Sequence, residues 1–238
     1  MKHSYVLGLG AVVLLASCMT PPTSSGPLPS APTSPHAAGT GSALTALAQL
    51  PVKGRAPRTG YSRAEFGASW TDDNDELWGR NGCDTRDDIL RRDLAEVVMR
   101  AGGCKVSTGV LHDPYTGIDM AFVRGPGTSS QVQIDHVVPL ANAWQTGAQQ
   151  WTARQRQDFA NDPLELVATA GSINEAKGDG DAATWLPPRN AFRCEYAARM
   201  VAIKVRWRLW VTPPERNALA HLLEPCGALG LPTDPGTV

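Results

Sequence analysis

The apolar positions Ile89, Leu90, Leu94, Val97 and Val98 keep to one helical face from Asp84-Thr85, a good N-cap pair, until Gly102-Gly103. This spacing predicts a helix whose apolar side is core. Pro114 with Gly117 and then Gly125-Pro126-Gly127 mark two turns with a strand-like stretch between them. Gln131 to Val137 alternates imperfectly through Val132, Ile134 and His136-Val137, as a half-buried strand would, and Leu164 to Ala168 is a second strand-like run. Asn174 to Asp179 looks like a turn into a helix. Near the end, Tyr196, Met200, Ile203, Trp207 and Trp210 recur at alternating spacings of four and three, which predicts a long amphipathic helix. A last helix starts at Pro213-Pro214 and buries Leu219, Leu222 and Leu223.

Upstream of this pattern the chain changes character. Met1-Lys2-His3 precedes an apolar run from Tyr5 to Leu15. That run is far shorter than the roughly 20 residues of a membrane-spanning helix and reads as a secretion signal over residues 1–17. It ends in Leu15-Ala16-Ser17-Cys18, which resembles a bacterial lipobox, so Cys18 is expected to carry a lipid; ordinary signal cleavage nearby is the alternative. Met19 to Ser42 holds six Pro, five Ser, four Thr and three Gly in 24 residues, too little apolar surface to bury a core. Residues 18–42 therefore read as a flexible tether, 43–226 as one folded domain, and the Gly- and Pro-rich residues 227–238 as a loose tail. The expected location is outside the cell, anchored to the bacterial envelope or secreted.

Composition narrows the chemistry. Twenty-two Lys and Arg against 23 Asp and Glu give a net charge of -1, so no global cationic field attracts a polyanion and any nucleic-acid contact must be local. Such a local field exists from Arg189 to Arg216, where seven basic residues face only Glu195 and Glu215. It reads either as a phosphate-binding surface or as the solvated border of an amphipathic helix. Apart from Cys18, four cysteines remain, an even number in an exported domain. Pairing Cys83 with Cys104 and Cys194 with Cys226 is favoured because each closes a short loop around one helical unit. None of the spacings is a C-x-x-C and no His stands at ligand spacing, which argues against structural zinc.

Candidate chemistry lies between Gln131 and Pro188. Ile134-Asp135-His136-Val137-Val138-Pro139-Leu140 sets a carboxylate beside an imidazole at a strand end, where successive side chains diverge, so the two are not expected to face the core together. A second strand and a helix carrying Asn174 at its start would add an amide oxygen, completing the parts for one hard divalent ion with a neighbouring base.

Taken together, several motifs resemble the HNH endonucleases with a ββα-metal core. They are Cys83-Asp84-Thr85-Arg86, Asp113 to Gly117, Ile134 to Leu140, Phe159 to Leu164, Asn174 to Asp179 and Trp185 to Pro188. The pattern is similar to the exported bacterial proteins whose domain is shared with the C-terminal part of the GmrSD restriction endonucleases. The resemblance implies an α+β fold, mostly helical around a small ββα-metal core, that hydrolyses DNA phosphodiesters, with RNA as an alternative substrate. It implies His136 as general base, Asp135 and Asn174 as ligands of a single Mg²⁺ or Mn²⁺, and Lys177, one helical turn beyond Asn174, as a phosphate contact or else a solvated lysine. A neutral imidazole suits the task because its unperturbed pKa of about 6.5 leaves it mostly deprotonated near pH 7.

One position departs from the HNH pattern. Glu165 stands where the middle Asn usually opens the second strand, and it keeps an acceptor but loses the amide donor. Glu165 is expected to brace the loop after His136, to orient the His136 ring, or merely to face solvent, with Asn161 as the other candidate brace. Asp84 and Arg86 read as helix cap and brace, Tyr115 as turn structure near the site, and Trp144, Trp151 and Trp185 as buried. The alternative from another class is a non-catalytic surface lipoprotein using the same scaffold to bind DNA, metal or a partner protein. G-x-x-x-x-G-K-[ST] is not found, so NTP-driven restriction is not supported for this chain alone.

Overall fold

A computed structural model of the protein describes residues 42–233. The expected signal over 1–17, the lipidation at Cys18 and nearly all of the tether lie outside the described residues. Helix α1 (Ala43–Gln49) begins where Ser42 caps Thr45 through its side chain. The chain then runs irregularly, with a short 3-10 turn at Arg63–Phe66, to α2 (Thr85–Asp93). Asp84 caps α2, accepting from the Asp87 amide at 2.8 Å, and Arg86 donates to the Ser129 and Val132 carbonyls, so both residues brace structure.

The helix expected to continue through Val98 stops at Asp93, and the chain passes into β1 (Leu94–Met99). The same apolar positions serve both states. Beyond Leu94 burial alternates at a period of two, the β-branched pair Val97-Val98 suits a strand, and Glu96 adopts a positive φ where the pairing register shifts. Asp93 fixes the change of direction by accepting from the Ala168 amide at 2.7 Å. Strand β1 forms an antiparallel meander with β2 (Val106–His112) and β3 (Asp119–Val123).

A second sheet pairs β4 (Val132–His136) with β5 (Leu166–Ala170), antiparallel, with Asp135 opposite Val167 and His136 opposite Leu166. Between these strands lie α3 (Leu140–Gln145) and α4 (Ala153–Asn161), the latter held by a capping box of Thr152 and Gln155. Strand β5 passes directly into α5 (Gly171–Lys177), which packs on β4 and β5. Gly171 is required at this junction, because a side chain there would collide with the Ser130 carbonyl. The long helix α6 (Arg193–Arg206) carries Tyr196, Met200 and Ile203 into the core; Trp207 caps its end, and Trp210 lies past it. Helix α7 (Pro213–Leu223) opens with Pro at its first positions and buries Leu219 and Leu223, with Leu222 partly covered.

Two hydrophobic clusters result. The larger gathers α1, α3, α4, α6 and α7 with Tyr115 and Val167; the smaller sits between α2 and the strands and contains Ile89, Leu94, Phe122, Ile134 and Leu166. Both faces of the β4–β5 sheet are therefore covered. The chain past Cys226 stays attached, since Gly230 bridges Ser42 and the Ala43 amide donates to the Leu229 carbonyl at 2.7 Å. Only residues 234–238 of the expected tail fall outside the described residues.

Disulfides join Cys83 to Cys104 and Cys194 to Cys226. The first ties the start of α2 to the β1–β2 turn, and the second ties the start of α6 to the end of the domain. Replacing either pair by serines is expected to cost about 2–4 kcal/mol, mostly by freeing the unfolded chain. Urea denaturation of each double variant under oxidising conditions measures this, and an unchanged midpoint would contradict it.

Candidate active site

The site grows from the end of β4. Because alternate residues point to opposite faces and both faces are covered, Asp135 enters the larger cluster beside Tyr115 while His136 turns the other way beside Trp70. Both are buried, at 3% and 8% exposure, contrary to the expectation that only one would be.

The His136 ring stacks on Trp70 with centroids 5.6 Å apart and planes 14° from parallel. Its Nε2 lies 3.0 Å from the Ala160 carbonyl oxygen. A carbonyl only accepts, so Nε2 carries the proton and Nδ1 keeps its lone pair, with no hydrogen-bond partner among the described residues. Burial pushes the His136 pKa down to about 3, and the positive charges of Arg63 and Lys177 push the same way. The imidazole is neutral throughout the physiological range. It forms part of the wall of an open cleft of about 520 Å³, shared with Arg63, Asp135, Asn174 and Asp179. The ring also lines a second pocket of about 310 Å³, together with Arg63, Phe66, Trp70 and Leu140.

Both Asp135 oxygens are engaged: Oδ1 accepts from Lys177 Nζ at 2.9 Å and Oδ2 from the Tyr115 hydroxyl at 2.6 Å. Burial, reinforced by the negative Asp135, raises the Tyr115 phenol well above its ordinary pKa and keeps it a donor. The turn Asp113–Gly117 sets the phenol in place. Asp113 accepts from the Tyr115 amide, the Thr116 hydroxyl and the Thr169 hydroxyl, and Gly117 closes the turn with a positive φ.

Lys177 ends α5 with a side chain that is 0% exposed, its ammonium on Asp135 Oδ1 and, at 2.7 Å, on the His136 carbonyl. It neither contacts the cleft as a phosphate ligand would nor lies in solvent. It is the buried counter-charge of Asp135, and it ties α5 to the end of β4.

Asn174 sits in the middle of α5 rather than at a helix start. Its orientation follows from a chain of hydrogen bonds. Glu175 Oε1 can only accept and receives Gln133 Nε2 at 2.9 Å, which turns Gln133 Oε1 toward Asn174 Nδ2, also at 2.9 Å. The Asn174 amide oxygen is thereby left without a partner among the described residues, on the wall of the cleft that Asp135 also lines.

Glu165 is fully buried just before β5, and both its oxygens approach the Val138 amide, at 3.0 and 3.3 Å. Its own carbonyl accepts from Val137 at 2.9 Å. Glu165 therefore braces the turn that follows His136; it does not orient the ring, whose partner is Ala160. Burial raises its carboxyl pKa well above the usual range. Asn161 bonds back to Gln157 within α4 and takes no part.

As to a metal, no group of three or more His, Cys, Asp or Glu side chains is placed to hold an ion among the described residues. Asp135 and Asn174 both line the cleft, and each carries a hard oxygen donor. Each Asp135 oxygen keeps a second lone pair beyond its present hydrogen bond. That set suits an ion such as Mg²⁺ that retains most of its waters, although Lys177 shares the same carboxylate.

The basic stretch from Arg189 to Arg216 is largely structural. Lys204 is buried against Glu215 at 3.0 Å, Arg206 pairs with Glu76 at 2.6 Å, and Arg199 donates to the Leu164 and Leu166 carbonyls. Trp144 is buried and Trp151 and Trp185 are packed on the core. Trp70 and Arg63 carry no local motif and reach His136 or the cleft only through the fold; Ala160 and Gln133 lie in stretches the sequence already marks, but their contacts with His136 and Asn174 are not readable from it.

Compared with known proteins, residues 84–222 match the family described as GmrSD restriction endonucleases, C-terminal domain. A relative described as an uncharacterized secreted protein, from Arthroderma benhamiae, is 36% identical over 228 residues, spanning 95% of this chain and 100% of that protein. No solved structure matches.

Proposed function

The chain belongs to the family of GmrSD restriction endonuclease C-terminal domains, and from that membership we propose that it is an exported, metal-dependent endonuclease of the HNH type acting on DNA. The observation that carries the reading is the His136 imidazole, fixed by Trp70 and the Ala160 carbonyl and lining a cleft whose wall also includes Asp135 and Asn174. The antiparallel pair β4–β5 followed directly by α5 is compatible with a ββα-metal core in which α3 and α4 are inserted between the strands, and so supports the same reading.

In this account His136 Nδ1 takes the proton from the attacking water. Trp70 and the Ala160 carbonyl fix the ring, so little ordering is left to the moment of reaction. Glu165 holds the turn behind it, and Lys177 locks α5 to β4 so that Asn174 faces the same space as Asp135. One Mg²⁺ or Mn²⁺ bound by Asp135 and Asn174 would stabilise the charge on the leaving oxygen. The disulfides and the secreted relative support an extracellular protein, and a lipid on Cys18 would hold it at a membrane surface.

The test is substrate choice. The oxidised protein is incubated with duplex DNA, RNA and a nucleotide monoester, each with Mg²⁺ and with EDTA. Metal-dependent cutting of DNA is expected, with the monoester left intact. Turnover of the monoester alone, or of nothing by a folded protein, would remove the endonuclease reading in favour of another phosphoesterase or of the binding lipoprotein.

A further inference from the structure

We propose that Arg63, contributed by the segment ahead of the family-matched region, binds the phosphodiester on which His136 acts. This rests on the nuclease reading and adds to it a substrate contact outside residues 84–222. Arg63 opens the 3-10 turn Arg63–Phe66, and that turn is firmly seated. Phe66 is buried against Trp144 and Phe159, and Arg156 donates to the Glu65 carbonyl at 2.8 Å while pairing with its carboxylate. The Arg63 backbone therefore stands on the core rather than on a loose loop.

The side chain, in contrast, is exposed and makes no hydrogen bond or ion pair among the described residues. Other cations of this region are neutralised: Arg55 by Asp181, Arg58 by Asp179 and Lys177 by Asp135. Arg63 lines both openings that meet at His136, and its charge is felt by that imidazole. Its place over the cleft lies with the two oxygen donors, Asp135 and Asn174. Of the acidic groups there, Asp179 is paired with Arg58 and Asp135 with Lys177, while Glu175 keeps its charge and accepts from Gln133; none of the three forms an ion pair with Arg63 among the described residues. A planar guanidinium left unpaired beside a neutral base is suited to an anion with two oxygens to offer, as a phosphodiester has. Because the contact would be to backbone phosphate, it carries no base preference.

The experiment compares the parent with Arg63→Ala, Arg63→Lys and, as a control, Arg216→Ala, an exposed arginine on α7 away from both openings. Two quantities are read: kcat/KM for plasmid cleavage with Mg²⁺, and the affinity for a short DNA duplex in EDTA across a salt series. Arg63→Ala should lose about tenfold or more in both, with a salt slope smaller by about one phosphate contact. Arg63→Lys should recover part of the loss, Arg216→Ala should stay within about twofold, and the melting temperature should not move, because Arg63 has no partner to lose. Duplex affinity and salt slope unchanged in Arg63→Ala would overturn the proposal. If the parent binds duplex but never cuts it, the nuclease reading fails separately, and the binding data still decide for or against Arg63.

Discussion

Replacing Lys177 by methionine will destabilise the protein by about 3–5 kcal/mol, the usual cost of stripping one partner from a buried ion pair. The side chains of Lys177 and Asp135 are 0% and 4% exposed, and the ammonium also satisfies the His136 carbonyl. Without it, Asp135 is left as a buried charge with only the Tyr115 hydroxyl to compensate it, and α5 loses its tie to β4. Adding Asp135→Asn should return part of the loss by removing the uncompensated charge. Urea denaturation of the single and double variants measures both effects. A Lys177→Met protein within about 1 kcal/mol of the parent would show that the pair does not hold the site together.

The second large effect is catalytic. His136→Ala should lower the single-turnover rate of DNA cleavage about 10²–10⁴-fold, the range expected when a positioned general base is removed. The fold should survive, since Lys177 holds the His136 carbonyl and Glu165 the Val138 amide independently of the ring. The same substitution has a signature in acid. The folded state holds the imidazole neutral down to about 3, whereas the unfolded chain binds the proton near its ordinary pKa of about 6.5. As pH falls through that window the unfolded state takes up the proton first, so the parent loses stability. His136→Ala lacks this contribution, and its melting temperature should fall less between pH 7 and pH 4. An equal fall in both proteins would contradict the buried, neutral ring.

Much of the fold was legible because its signals are local. The α6 face of Tyr196, Met200 and Ile203, the Pro213-Pro214 start of α7, strand β4 and the disulfide pairs all follow from spacing or punctuation. The switch at Asp93-Leu94 was not, because Ile89, Leu90, Leu94, Val97 and Val98 fit a helix as well as a helix followed by a strand. What separates the two is the distant Ala168 amide on Asp93. The position of Asn174 within α5 slipped for a similar reason: β5 runs into that helix through Gly171 without a polar cap to mark the start.

At the site, Asp135, His136 and Asn174 line one cleft, and their residue types alone had suggested a common purpose. The roles of Lys177 and Glu165 were not legible, since a charged residue in a sequence defaults to solvent and only the fold shows both to be buried. Trp70 and Arg63 are further still. They come from a segment rich in turns, and nothing near them in the sequence points to an imidazole more than 60 residues away.

The most direct test of the central claim is cleavage of supercoiled plasmid by the purified, oxidised protein, in Mg²⁺ and in EDTA, beside the folded His136→Ala variant. The account predicts that the parent cuts only with the metal and that the variant barely cuts at all. Equal cutting by parent and variant, or none by a folded parent in Mg²⁺ or Mn²⁺, would contradict it.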